Sequence, residues 1–137
     1  MVIGDLNGDG IPDLVVSNET NTISVLLGTG DGSFGPRTDY GAGSILLLAA
    51  IGDLNADGKA DLVVANRGTN SVSVLLGAGD GSFAPKTEFG TATGPTGVAI
   101  GDLNADGKPD LAVANYFSNT VSVLLGNGDG SFGPRTD

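Results

Sequence analysis

The fold is decided by a nine-residue stretch, DLNADGKAD at residues 53–61, which recurs as DLNGDGIPD at 5–13 and DLNADGKPD at 102–110. In each copy, positions 1, 3, 5 and 9 carry Asp or Asn, and position 6 is Gly. Alternate side chains of such a loop converge on one point, where their charges repel one another unless a cation lies between them. Several hard oxygen ligands on a flexible loop suit Ca²⁺ better than Mg²⁺. The stretch therefore predicts three calcium loops.

The predicted ligands are the side chains at positions 1, 3, 5 and 9. They are Asp5, Asn7, Asp9 and Asp13 in the first loop, Asp53, Asn55, Asp57 and Asp61 in the second, and Asp102, Asn104, Asp106 and Asp110 in the third. Gly at position 6 permits the sharp turn that brings position 9 back to the ion. The alternative is a set of Asx-turns without metal, because Asp and Asn also favour turns. An EF-hand is excluded, since position 12 is Val in all three copies, where an EF-hand requires a bidentate Glu.

Composition narrows the classes of function. The 137 residues include no Cys and no His, which removes disulfides, thiolate metal sites and the usual general base, so we expect no enzyme. The net charge of −10 argues against nucleic acid as a partner. Three bound Ca²⁺ would bring this charge to −4, which is ordinary for a soluble domain. No apolar run approaches the roughly 18 residues that span a bilayer, so we expect no membrane insertion.

The loops begin at residues 5, 53 and 102, and a repeat of this length indicates a solenoid, a propeller or an array. Each repeat holds four short, β-branched apolar runs, A to D, bounded by Gly, Asn and Asp, which indicates strands. Four antiparallel strands per repeat describe a propeller blade. We therefore predict an all-β fold: one repeat domain over 1–137, with blades at about 1–43, 44–92 and 93–137.

Two segments qualify this pattern. Pro36, Pro85 and Pro134 lie early in run D, and because Pro cannot donate to a strand ladder, run D is predicted to be an edge strand. The segment Ser44-Ile45-Leu46-Leu47-Leu48, with apolar residues at 45–48, stands where the third repeat has Thr93-Gly94-Pro95-Thr96-Gly97, a predicted turn. Residues 45–48 are either a longer, buried inner strand or an exposed apolar contact surface.

The chain resembles the FG-GAP repeats of the integrin α-subunit head, in their bacterial VCBS-like form. The resemblance is carried over nearly the whole chain by the acidic loops, by Leu-Leu-Gly before each C–D turn, and by the Phe-Gly-Pro or Phe-Ala-Pro that follows it. It implies one Ca²⁺ per blade, three per chain. It also implies that the backbone carbonyl at position 7 of each loop, in Ile11, Lys59 and Lys108, joins the side-chain ligands.

The resemblance further implies that the loops opposite the metal loops form a ligand face. Arg67, Tyr116 and Phe117 fall there and are candidate contacts for a glycan or a protein ligand. The alternative is that the aromatic pair packs against the neighbouring blade.

Three blades leave two open faces, whereas propellers usually have four to eight blades. We predict a homodimer that closes a six-bladed ring; the alternative is a piece of a longer chain. No signal peptide precedes the first loop, which favours a cut piece. The expected function is a calcium-stabilised adhesion, ligand-binding or scaffold module in an extracellular or cell-surface setting, where Ca²⁺ is millimolar. A glycan-binding lectin, and an engineered or consensus-like propeller without a ligand, are the alternatives.

Overall fold

Eleven β-strands in three antiparallel sheets form the regular structure of the chain, which a computed structural model describes from Met1 to Asp137. The first sheet contains β1 Val2–Gly4, β2 Asp13–Ser17, β3 Thr22–Leu26 and β4 Thr38–Gly41. The second contains β5 Leu46–Gly52, β6 Asp61–Asn66, β7 Ser71–Leu75 and β8 Thr87–Gly90. The third contains β9 Pro95–Gly101, β10 Asp110–Asn115 and β11 Thr120–Leu124. No helix is present, and so none that could span a membrane.

Each sheet follows the chain order of its strands, so the predicted A-to-D meander is confirmed. The third sheet holds only three strands, and an isolated bridge between Val123 and Thr136 occupies its fourth position. In the first two sheets the last strand pairs on one side only, so run D is an edge strand, as predicted. Pro36 lies between an isolated bridge at Phe34 and β4, where it interrupts no ladder.

Residues 45–48 match each of the two predicted alternatives, an inner strand and an exposed apolar surface, in part. Leu46 begins a seven-residue inner strand, but Ile45 and Leu48 are exposed. The turn predicted at residues 93–97 is wrong beyond Gly94, because β9 already begins at Pro95. The first residue of a strand is a position that tolerates Pro.

Two hydrophobic cores lie between the sheets and hold them together. One joins Val15 and Ile23 of the first sheet to Leu62 and Val64 of the second. The other joins Val63 and other residues of the second sheet to Leu111 and Val113 of the third. Because successive side chains of a strand point to opposite faces, the Leu-Val-Val run of β6 supplies both cores, and all its residues are buried.

The meander also separates the connections into two groups. The acidic loops (5–13, 53–61 and 102–110) and the C–D turns (28–34, 77–83 and 126–132) lie at one edge of the sheets. The B–C turns (18–21, 67–70 and 116–119) and the D–A links (42–45 and 91–94) lie at the opposite edge, because antiparallel strands reverse direction at each connection. Chemistry carried by the two groups therefore faces opposite sides of the molecule.

Candidate functional site

The acidic loops draw the side chains of positions 1, 3 and 5 together around the backbone of the loop. In the second loop, the N–H of Asp57 donates to Oδ1 of both Asp53 and Asn55, at 3.2 Å each. In the third loop, the N–H of Asp106 donates to the same two atoms of Asp102 and Asn104. Two oxygens thus converge on one N–H in the second and third loops, whereas in the first loop the N–H of Asp9 donates to Asn7 Oδ1 alone.

The turn at position 6 has the conformation that the sequence predicts. Gly10, Gly58 and Gly107 have φ between 79° and 82°, a left-handed conformation that Gly adopts without steric cost. The N–H of Gly58 then donates to Asp53 Oδ2 at 2.9 Å, and the other two loops repeat this bond. Position 4 is also left-handed, at Gly8 in the first loop but at Ala56 and Ala105 in the others. This feature was not predicted from the sequence, although Gly8, the fourth residue of the first loop, could have signalled it.

The Asp at position 9 is completely buried and binds backbone rather than facing open solvent. Asp61 accepts the N–H of Leu54 through Oδ2 and that of Gly77 through Oδ1, both at 2.8 Å. Burial raises the pKa of Asp61, the two N–H groups lower it, and the negative charges of Asp57 and Asp53 raise it again. The negative charges of Asp53 and Asp57 therefore disfavour the ionised form of Asp61, and a cation between the three carboxyl groups would relieve that repulsion.

The donor set of the loops fits a hard cation, although the carboxylates are not closed around one point. Every predicted ligand offers oxygen, the atom that Ca²⁺ prefers. No three Asp or Glu side chains are gathered into a metal-holding group. In the first loop, Asp5 Oδ2 accepts the N–H of Gly10 and Asp9 Oδ1 accepts the N–H of Ile11. Both of these oxygens keep a second lone pair for a ligand bond, whereas Asp5 Oδ1 already accepts two N–H groups.

Position 7 differs in charge between the loops. Lys59 Nζ lies 3.6 Å from Asp57 Oδ2, and the Lys59 N–H donates to Asp57 Oδ1, which lowers the pKa of Asp57. The first loop has Ile11 there and contains no cationic side chain. A cavity of about 360 Å³ separates the first loop from the second and is lined by Asp5, Asp53 and Lys59 among others. The backbone carbonyls predicted as ligands at position 7 belong to Ile11, Lys59 and Lys108.

The three predicted ligand-face residues meet at the opposite edge. The Tyr116 and Phe117 rings form an edge-to-face pair with centroids 5.3 Å apart, and the Arg67 guanidinium lies 5.7 Å from the Phe117 centroid. Phe117 also packs on Gly94 of the D–A link. Tyr116 is nevertheless 70% exposed and Phe117 60% exposed, so contact with the neighbouring blade leaves both rings largely open to a ligand.

A shallow cavity of about 350 Å³ adjoins this cluster, with the polar residues Thr96, Asn115, Asn119 and Thr120 beside Tyr116, Ala114 and Val121. The Asn115 side chain is buried, and its Oδ1 has no hydrogen-bond partner. Aromatic surface beside hydroxyl and amide groups offers both stacking and hydrogen bonds to a small polar ligand.

An Asn recurs at the end of β6 and β10 and directly after β2, and no role was predicted for it from the sequence. In the second sheet, Asn66 Nδ2 donates to Ser71 Oγ and Ser73 Oγ, and its Oδ1 accepts the N–H of Gly43 at 3.2 Å. Asn66 therefore fastens a B–C turn to the link from the preceding sheet. The constant five-residue offset from position 9 was the signal that could have identified it.

Comparison with known proteins agrees with this architecture. The family model for the FG-GAP-like repeat matches residues 5–51, 53–113 and 102–137. A solved structure of an Agrocybe aegerita lectin, described as specifically recognising non-reducing terminal N-acetylglucosamine, is similar, with a TM-score of 0.68 and 26% sequence identity. The match covers 98% of this chain and 37% of the lectin chain, so this chain spans well under half of that protein. No curated protein sequence matches the chain. The fold is β-propeller-like.

Proposed function

This chain belongs to the FG-GAP-like repeat family, and from that premise we propose that it is a non-catalytic, calcium-stabilised β-propeller module that binds a ligand. The observation that carries the proposal is the separation of chemistry between two edges: acidic loops at one, exposed aromatic rings at the other. Structural ions at one edge would stiffen the sheets that position a binding surface at the other.

The calcium part of the proposal rests on the oxygens that converge in the second and third acidic loops. Asp53, Asn55, Asp57 and Asp61, with the Lys59 carbonyl, would hold one ion, and the equivalent residues of the other loops would hold two more. A bound ion would neutralise carboxylates that now repel one another. All the recurrent carboxylates are then committed to structure, which leaves no acid–base pair for catalysis. Ca²⁺ sites of this type suit the millimolar calcium outside cells, so we propose an extracellular or cell-surface setting.

The ring part of the proposal concerns closure. Three sheets per chain leave two open faces, and we propose that two chains join into a six-bladed ring. A ring buries both open faces of each chain at once.

The ligand part favours a glycan over other small molecules. Sugars stack their apolar faces on exposed aromatic rings and offer hydroxyls to polar groups, and Tyr116 stands beside Thr96, Asn119 and Thr120. The similar lectin recognises N-acetylglucosamine, which supports the same class of ligand here. A protein ligand bound by the same rings, or a scaffold role without any ligand, are the alternatives that the experiment separates.

The experiment is a glycan array that includes non-reducing terminal N-acetylglucosamine, run in calcium and repeated with two variants. We expect binding that Tyr116→Ala and Arg67→Ala each weaken at least tenfold. Arg37→Ala serves as the matched control, because Arg37 is an exposed Arg of the first sheet, far along the chain from the cluster. An array without signal would remove the lectin function, and unchanged binding by Tyr116→Ala would move the site elsewhere.

A further inference from the structure

We propose that a second copy of this chain docks head to tail, with the third sheet of one copy packed against the first sheet of the other through the contacts that already join the sheets within one chain. The inference rests on the six-bladed ring proposed above and assigns its interface. Two internal junctions, between sheets one and two and between sheets two and three, provide the pattern.

The first repeated contact places an Ile of one sheet in the space left by a Gly of the preceding sheet. A Cβ added to Gly4 would lie 2.7 Å from Ile51 Cδ1, and one added to Gly52 would lie 2.9 Å from Ile100 Cδ1. The third sheet has the same Gly at position 101, but nothing lies within 4 Å of its Cβ position. The first sheet has the same Ile at position 3, and it is 61% exposed.

The second repeated contact places a Leu of one sheet over a Gly of the next C–D turn. Leu27 reaches within 2.6 Å of a Cβ added to Gly81, and Leu76 reaches within 2.7 Å of one added to Gly130. In the third sheet the corresponding Leu125 is exposed. In the first sheet the corresponding Gly32 has nothing within 4 Å. The unmatched Leu and the unmatched Gly again stand on opposite faces of the chain.

The third repeated contact buries the Leu at position 2 of each acidic loop under the Phe of the next sheet. Leu6 shares a core with Phe83, and Leu54 shares one with Phe132. Leu103 has no such neighbour and is 53% exposed, against 1% for Leu54. Phe34 likewise covers nothing and is 41% exposed, against 8% for Phe132.

Each unmatched residue on the third sheet therefore has its counterpart on the first sheet of an identical chain. Ile3 fits beside Gly101, Leu125 fits over Gly32, and Phe34 covers Leu103. In the first contact, Ile3 is the knob and the space beside Gly101 is the socket. Because knob and socket lie on different faces of the chain, neither face can pair with a second copy of itself through these contacts. The interface is heterologous, and two copies satisfy it twice if the ring closes.

The test uses two variants that damage opposite faces, with mass in solution as the readout. Gly101→Val fills the socket for Ile3, and Ile3→Asp places a charge on the knob. The wild-type chain is expected at twice the chain mass of 13.5 kDa, and each variant alone at the single mass. The dissociation constant should rise by about a hundredfold for Gly101→Val, a factor of about ten at each of two equivalent interfaces. An equimolar mixture of the variants should form a mixed dimer of intermediate stability, because one of its two interfaces is intact and the other carries both substitutions.

Gly90→Val is the matched control, because Gly90 also has open space around its Cβ position but lies on an outer strand. It should remain dimeric. We expect Gly101→Val to fold, since nothing in one copy lies within 4 Å of the Cβ position at residue 101, and circular dichroism checks this. A monomeric wild-type chain would overturn the proposal, as would an Ile3→Asp chain that stays dimeric through paired third sheets. Calcium uptake by the same samples reports on the metal loops separately, so the interface and the calcium proposal can fail independently.

Discussion

Asp61 accepts a 2.8 Å hydrogen bond from the backbone N–H of Gly77, sixteen residues further along the chain. The bond joins the end of an acidic loop to the C–D turn of the same sheet. Asp13 and Asp110 make the same bond to Gly28 and Gly126, also at 2.8 Å. The Asp at position 9 therefore holds the acidic loop and the C–D turn of its sheet together even without an ion. The Asp residues at positions 1 and 5 do not bridge these two connections.

Asp61→Asn is expected to destabilise the fold whether or not calcium is present. Both carboxylate oxygens accept backbone N–H groups, and the amide of Asn would face one of these donors with another donor. Leaving a buried N–H without an acceptor costs about 1–3 kcal/mol. Denaturant unfolding in calcium and in chelator measures the loss in the free energy of unfolding under each condition. A loss confined to the calcium sample would show that Asp61 acts through the ion alone.

Calcium is expected to raise the melting temperature of the wild-type chain, with three ions bound per chain. At a free concentration of about 100 times the dissociation constant, each site would add roughly 2.7 kcal/mol to the free energy of unfolding. Thermal melting with and without a chelator, together with metal analysis, provides the measurement. A midpoint that does not move would contradict the calcium proposal.

A variant at position 5 tests the same proposal at one loop. Asp57→Asn should lower the calcium-dependent gain in melting temperature by about a third, because one of three sites loses a carboxylate. In chelator the same variant should be neutral or slightly stabilising, since Asp57 no longer repels Asp61. Glu19→Gln removes an equal charge from a B–C turn and is the matched control. If Asp57→Asn and Glu19→Gln showed the same calcium-dependent gain in melting temperature, the ion would not be bound at Asp57.

The sequence predicted the sheets and the acidic loops because their signals are local and occur three times. Alternation, turn residues and loop spacing need no knowledge of distant contacts. The partners of Asp61 and Asn66 could not be predicted in the same way, because Gly77 and Gly43 become neighbours only when the turns and links fold back. The turn predicted at residues 93–97 is wrong beyond Gly94, because Gly94-Pro95 favours a turn locally, whereas the pairing of β9 with β10 makes Pro95 the first residue of a strand.

Ala56→Gly is expected to stabilise the chain by a few tenths to about 1 kcal/mol. Ala56 has φ of 59°, and an L-residue in this left-handed conformation costs about 1–2 kcal/mol, which the greater unfolded-state entropy of Gly partly offsets. The first loop supplies the reverse control, because Gly8 occupies the same position with φ of 75° and Gly8→Ala should destabilise it. Urea unfolding of both variants measures the two changes. Destabilisation by Ala56→Gly would show that the Ala methyl makes contacts that outweigh the strain.

Ser33→Ala is expected to raise the pKa of Asp31 towards 3.8. The Ser33 hydroxyl, the Thr29 hydroxyl and the Ser33 N–H all donate to Asp31, at 2.6, 2.7 and 3.0 Å, and hold its pKa well below 3.8. Because the folded pKa is depressed, the stabilisation is complete above the unfolded value and is lost as pH falls through the folded one. Without the Ser33 hydroxyl, the folded pKa of Asp31 moves closer to its unfolded pKa. The turn therefore loses its stabilisation at a higher pH than in the wild-type chain. Carboxyl ¹³C titration of Asp31 measures the shift, and Ser33→Thr, which keeps a hydroxyl, should leave the pKa low. An unchanged pKa in Ser33→Ala would mean that the backbone and Thr29 alone suffice.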